Sequence, residues 1–195
     1  MKGELNMKKE INVYLAGKIA PNDWRQRLVD IRNNFSGGEK DEIRNGKILK
    51  YNDYVNITGP FFLSCDHSCY HGDNSHGVGL NNLCPNGERY DCYGLTDYFS
   101  EKEVKDICLS QIKKSDVIFA YINSDDCFGT LYELGYASAL GKPILLLFDN
   151  GNRRENMWFI STGAKIARIL LSHTGIKENF DEIIQYYYKE NFIRI

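Results

Sequence analysis

In residues 124–143, SDDCFGTLYELGYASALGKP, the carboxylate of Glu133 stands where chemistry could use it. Gly129 and Thr130 open a predicted helix over about residues 129–140, and Glu133 falls in what the spacing makes its first turn. A helix start leaves backbone N–H groups unpaired and favours negative charge, so Glu133 is expected to be ionised there. Gly129 would let the backbone come close to a ligand, and the N–H groups around Thr130 would favour its anionic atoms. An ionised carboxylate at a crevice suits displacement at an anomeric carbon, where an anion both attracts and captures a sugar cation. The same tetrad, residues 130–133, also spells a capping box, in which the glutamate reaches back to the threonine backbone and does no chemistry. The small residues Gly135, Ala137, Ser138 and Ala139 need only close packing of helix on sheet to explain them.

A second concentration of reactive side chains lies in residues 64–98. Cys65, His67, Cys69 and His71 are followed by His76, Cys84 and Cys92 in a segment with little periodicity. Any four could ligate zinc tetrahedrally, although the spacing matches no finger or ribbon pattern. Alternatively the segment is a lid beside a crevice, with His67 or His71 meeting a leaving group as donor or acid, or these residues satisfy one another's polar groups. The lid is the reading adopted, so no metal and no other cofactor is expected.

The elements that must position these groups follow from the hydrophobic pattern. Residues 11–17 form a β-branched and aromatic run ending in Gly17, and residues 22–34 carry Trp24, Leu28 and Ile31 at helical spacing. A strand is predicted within residues 51–62, ended by Gly59-Pro60. Residues 101–113 read as a helix with Val104, Ile107, Cys108 and Ile112 on one face, capped by Ser100. Residues 116–122 and 144–148 are near-continuous apolar runs, the mark of strands covered on both faces. Gly141 and Pro143 stop the helix between them. A last strand over 166–172 and an amphipathic helix over 176–190 complete the pattern. Strands alternating with helices imply an α/β protein with a doubly wound, open parallel sheet of about five strands, flavodoxin- or Rossmann-like. Residues 1–195 form one domain in this reading, with residues 60–99 as a long Cys/His-rich insertion or lid. Ligands bind such sheets at the carboxyl ends of the strands, which puts residues 17–22, 123–130 and 149–158 around one crevice.

Composition narrows the partners. A length of 195 residues supports one core, and a net charge of -2 gives no basic field for polymer nucleic acid. No stretch approaches a membrane span, and the charged start is unlike a signal segment, so a cytoplasmic protein with reduced thiols is expected.

The run DVIFAYI, followed by D-x-x-G-T-x-x-E-L-G-Y-A-x-x-x-G-K-P and a second buried strand, resembles the nucleoside 2-deoxyribosyltransferase family and its relatives that hydrolyse nucleoside monophosphates. The likeness is tight over residues 108–148, looser over 13–25 and absent from the insertion. It implies an enzyme in which Glu133 is the nucleophile of a glycosyl-enzyme intermediate and Tyr14 orients it by hydrogen bonding. It also implicates Gly17 and Lys18 in the sugar or phosphate pocket, and Asn156 as a residue entering a neighbouring subunit's site. The transferases carry an Asp two residues before the helix-opening Gly, where Cys127 stands here with Asp126 one step earlier. They carry another on the preceding helix, near Cys108. Unless Asp126 substitutes, the usual grip on a deoxynucleoside is missing, and Lys18 or Arg25 could receive a phosphate instead.

The expected activity is therefore cleavage or base exchange at an N-glycosidic bond of a small nucleoside or nucleotide, by a homo-oligomer with a shared active site. The altered aspartates leave two alternatives on the same fold, a nucleotide-sensing module without turnover and an NAD-cleaving glycohydrolase. Met157, Trp158 and Phe159, beside the crevice, mark either the subunit interface or packing under the insertion.

Overall fold

A computed structural model describes residues 9–18, 24–29, 42–43, 45–61, 101–170 and 175–192. Six strands form one sheet: β1 (Ile11–Ala16), β2 (Leu49–Lys50), β3 (Val55–Gly59), β4 (Val117–Ile122), β5 (Ile144–Phe148) and β6 (Ile166–Ile169). Their spatial order is β2-β3-β1-β4-β5-β6. Around them stand a 3-10 turn (Trp24–Arg27) and the helices α1 (Glu101–Lys114), α2 (Phe128–Ala139), α3 (Gly151–Asn156), α4 (Trp158–Gly163) and α5 (Ile176–Phe192).

The five expected parallel strands are β3-β1-β4-β5-β6, and the sheet is mixed because β2 adds an antiparallel edge to β3. A two-residue strand carries no readable alternation. Its turn is nevertheless built from sequence: the Asn52 side-chain oxygen accepts from the N–H groups of Tyr54 and Val55 at 3.0 and 2.9 Å, folding β2 back on β3. β5 is buried throughout, and β4 at all but Tyr121, as their apolar runs require. β3 ends at the Gly-Pro pair, and α2 is followed by Gly141 in the left-handed conformation (φ +67°). Of the helix expected over 22–34, residues 24–29 are described, and they hold only the 3-10 turn. Residues 62–100 lie outside the described residues, and with them Ser100, the Cys/His cluster, His67 and His71.

Alternation along β1 sends Tyr14 to the face covered by α1 and α2. Leu15 and its register partner Phe119 face the other side, where Phe119 packs on Phe180 of α5 and on Trp24, with ring centroids 4.9 and 5.9 Å away. β1 therefore has helices on both sides and parallel neighbours on both edges. With β2 set aside, the strand order is flavodoxin-like, and the crevice opens between the carboxyl ends of β1 and β4, where the order reverses.

Candidate active site

The chain leaving β4 enters α2 at this crevice. α2 begins at Phe128, two residues before Thr130, with Cys127 at the N-cap and no side-chain cap. Two expectations fall with that start. Thr130 is a buried residue inside the first turn, so residues 130–133 are not a capping box, and Glu133 belongs to the second turn, beyond the reach of the N-terminal dipole. The small-residue stripe is also corrected: Ala137 packs on the sheet, whereas Gly135, Ser138 and Ala139 are exposed. A side chain at Gly129 would meet nothing within 4 Å, so no contact within the protein demands glycine there.

Glu133 shares a helix face with Thr130, three residues before it, and Ala137, four after it, both buried, so it points toward the sheet. The Tyr14 hydroxyl donates to its Oε1 at 2.5 Å, and the Cys108 thiol, from α1, lies within hydrogen-bonding reach of both groups. Glu133 as a residue keeps some solvent exposure, but its carboxyl group is enclosed. Loss of water pushes that carboxyl up to about 7, against the opposing hydrogen bond from Tyr14, the charge of Arg25 and the Cys108 thiol. The environment thus acts against the expectation of a dipole-stabilised anion and sets Glu133 to titrate near neutrality. Burial, Cys108 and Glu133 together push the Tyr14 hydroxyl well above its ordinary range, so Tyr14 remains a donor. The Cys108 thiol is raised too, first by burial and then by the Glu133 charge, and stays protonated.

The rim of the crevice is ionic. Lys18, just beyond β1, pairs with Asp126 of the β4–α2 loop at 2.6 Å, and Ser124 donates to the other Asp126 oxygen. These contacts lower the Asp126 carboxyl to about 2, Lys18 first and Ser124 next. Arg153 of α3 donates through Nε to Asp149 at 2.7 Å and also pairs with Asp125, which fastens the β4–α2 loop to the end of β5. Gly17 turns the chain with φ +156°, and a Cβ there would stand 2.9 Å from the Tyr121 carbonyl oxygen and 3.0 Å from Trp24 Nε1. Asn156 ends α3 with its side chain exposed. Trp158 and Phe159 are 62% and 76% exposed, while Met157 packs partly on the core.

The structure therefore joins Tyr14 to Glu133 and Lys18 to Asp126. Arg25 is not available as a phosphate ligand: it is fully buried, donating to the carbonyl oxygens of Leu15 and Gly17. Two neighbours of the carboxylate escaped sequence reasoning in this role. Cys108 had a signal, four residues from Val104 and Ile112 on the buried face of α1, which aims it at the sheet. Arg25 had none, because its bonds to the Leu15 and Gly17 carbonyls, ten and eight residues back, follow no local period. Cys108 and Cys127 are both free thiols, and among the described residues no group of three or more His, Cys, Asp or Glu side chains could hold a metal.

The protein is of the α/β class, and its enclosed carboxyl group, bonded to a tyrosine, lies at the switch point of the parallel strands, where such sheets bind small ligands. The family model for nucleoside 2-deoxyribosyltransferase matches residues 76–176, just over half of the chain, and the chain belongs to that family of enzymes. The matched region begins at residue 76, inside the segment 60–99 where no likeness to the family was expected, runs through α1, β4, α2 with Glu133, β5 and β6, and excludes β1 with Tyr14. No curated protein matches the chain. Among the described residues no helix is long and apolar enough to cross a membrane.

Proposed function

We propose that the chain cleaves or exchanges the N-glycosidic bond of a nucleoside or nucleotide through covalent catalysis by Glu133. A Glu133 carboxylate oxygen attacks the anomeric carbon; the bond to the base nitrogen breaks, its electron pair leaves with the base, and the base takes up a proton. Water or a second base then attacks the same carbon and releases Glu133, giving hydrolysis in one case and transfer in the other. The observation that carries this reading is the enclosed carboxyl group of Glu133 held by the Tyr14 hydroxyl at 2.5 Å. Hydrogen bonding fixes the attacking oxygen, and enclosure leaves it weakly solvated, so less water must be stripped from it as the bond forms.

Cys108 and Cys127 stand where the resemblance leads one to expect carboxylates, and both are buried. No second negative charge from these positions then competes with Glu133 for ionisation. Asp126 and Lys18, paired at the rim, are assigned to the sugar or its phosphate, with Gly129 and Thr130 at the start of α2 as further contacts. Exposed Trp158 and Phe159, beside Asn156, support assembly of a homo-oligomer whose partner completes the site.

The test is release of free base from a panel of nucleosides, nucleoside monophosphates and NAD, run beside Glu133→Gln. The amide keeps the shape and still accepts from Tyr14, but it has no anion to donate, so base release is expected to fall by several orders of magnitude. Equal rates in the two proteins refute the mechanism, and binding without turnover on every substrate replaces it with a sensing role.

A further inference from the structure

Residues 123–127 carry the chain from β4 into α2, and two adjacent carboxylates, Asp125 and Asp126, stand at the turn they make. The two are drawn to opposite sides. Asp126 pairs with Lys18 at the end of β1 at 2.6 Å, whereas Asp125 pairs with Arg153 of α3, beyond the end of β5. β1 and β5 flank β4 in the sheet, so the loop is tethered to the strand on either side of its own. Arg153 is itself fixed. Its Nε and Nη2 fork onto the two oxygens of Asp149 at 2.7 and 3.2 Å, a planar two-point contact that sets the direction of a guanidinium. Asp149 is anchored in turn, its N–H donating to the Ile122 carbonyl at 3.2 Å and its Oδ1 accepting from Asn150 Nδ2 at 2.8 Å. The fork is well enclosed, with 14% of the Arg153 side chain and 24% of the Asp149 side chain exposed, but the Asp125 leg, at 76%, is not. An exposed leg adds little to stability, and what it does fix is the place of the turn.

We propose that Arg153 is a positioning residue for Asp126: by taking up Asp125 it leaves Lys18 to Asp126 alone and holds that carboxylate in place at the rim of the crevice. Neighbouring carboxylates repel each other, and an ammonium, a point charge on a flexible stem, accepts either of them. Lys18 and Arg153 are the cations that Asp125 and Asp126 meet among the described residues. With Arg153 neutral, both carboxylates compete for one lysine, and the turn is free to bring Asp125 to Lys18 in place of Asp126. Ser124, which donates to the other Asp126 oxygen, belongs to the same loop and moves with it, so it is no fixed anchor.

This inference rests on the reading of Asp126 as a contact for the sugar or its phosphate, but its first test needs no turnover. Arg153→Met combined with Asp125→Ala removes one charge of each sign, so the net charge beside Asp126 is kept while the clamp is lost. The Asp126 carboxyl is titrated by carbon NMR, its signal identified as the one absent from Asp126→Asn. The wild-type midpoint is expected at about 2, and in the double variant it should move toward the ordinary 3.8 as the pair with Lys18 loosens. Arg153→Gln with Asp125→Ala keeps the same charge arithmetic with a polar side chain and serves if the methionine form does not fold. A midpoint unmoved in a folded double variant overturns the inference. In base release, the same variant should raise KM roughly tenfold with kcat nearly unchanged, and the rise should vanish in an Asp126→Asn background, where a residue acting through Asp126 has nothing left to act on. A rise of full size in that background overturns the inference as well. Failure of the proposed reaction is a separate result, seen as base release that survives Glu133→Gln, and it leaves the titration intact.

Discussion

Glu133→Gln should stabilise the protein above neutral pH while it removes the proposed nucleophile. The enclosed carboxyl is raised from its ordinary 4.5 to about 7. Between those two values the folded protein keeps a proton that the unfolded chain has released, so stability falls as pH rises. At about 1.4 kcal/mol per pH unit the whole loss is about 3 kcal/mol, fully absent below pH ~4 and fully developed above pH ~8. A glutamine at 133 does not titrate and escapes that loss. Chemical denaturation of both proteins at a series of pH values from 4 to 8.5 checks this, with the difference in unfolding free energy as the readout. The difference should grow by about 3 kcal/mol in favour of Glu133→Gln across that range, or roughly 6–12 °C in melting temperature for a chain of this size. Carboxylates such as Asp126, lowered to about 2 by Lys18 and Ser124, are common to both proteins and cancel. Parallel stability curves refute the enclosed, neutral-pH carboxyl, whatever the activity of either protein.

Tyr14→Phe removes the hydrogen bond that favours the Glu133 anion, so kcat should fall ~10–100-fold, the worth of one charged hydrogen bond. The acid limb of kcat/KM, expected near 7 in wild type, should move upward with it, because less of the carboxyl is ionised at a given pH. Gly17→Ala should lower stability by roughly 1–3 kcal/mol, since φ +156° and the Tyr121 carbonyl both oppose a side chain; denaturant unfolding measures it. Trp158→Ser with Phe159→Ser should convert an oligomer in sedimentation velocity to a monomer with weakened turnover, and a fully active wild-type monomer at micromolar concentration removes the shared site.

Where periodicity and burial agree, the fold was legible in the sequence. β4 and β5 are uninterrupted apolar runs because helices cover both faces of the central sheet, and α1 shows its buried edge as Val104, Cys108 and Ile112. β2 was not legible, since two residues have no period, and within the helix expected over 22–34 the described residues 24–29 form a 3-10 turn. The candidate site divides in the same way. Glu133 and Tyr14 were both reachable by resemblance, and the pairing of β1 with β4, Tyr14 opposite Ile118, brings them into contact. What no local pattern encodes is the electrostatic setting of that contact.

That setting depends on where α2 starts. A helix beginning at Thr130 would have put Glu133 among free N–H groups and stabilised it as an anion. With the start at Phe128, the same glutamate lies in the second turn, on the face that Thr130 and Ala137 bury against the sheet, where its acidity is governed by enclosure first, then by Tyr14, the charge of Arg25 and the Cys108 thiol. A carboxylate fully stabilised as an anion gains little by attacking a carbon, and one left protonated cannot attack at all. A group raised to about 7 lies between these limits, able to ionise near neutral pH and poorly solvated when it does. On the proposed mechanism, the stability lost above pH 7 and the reactivity of Glu133 then have one physical origin, so a substitution that relieves the first must weaken the second.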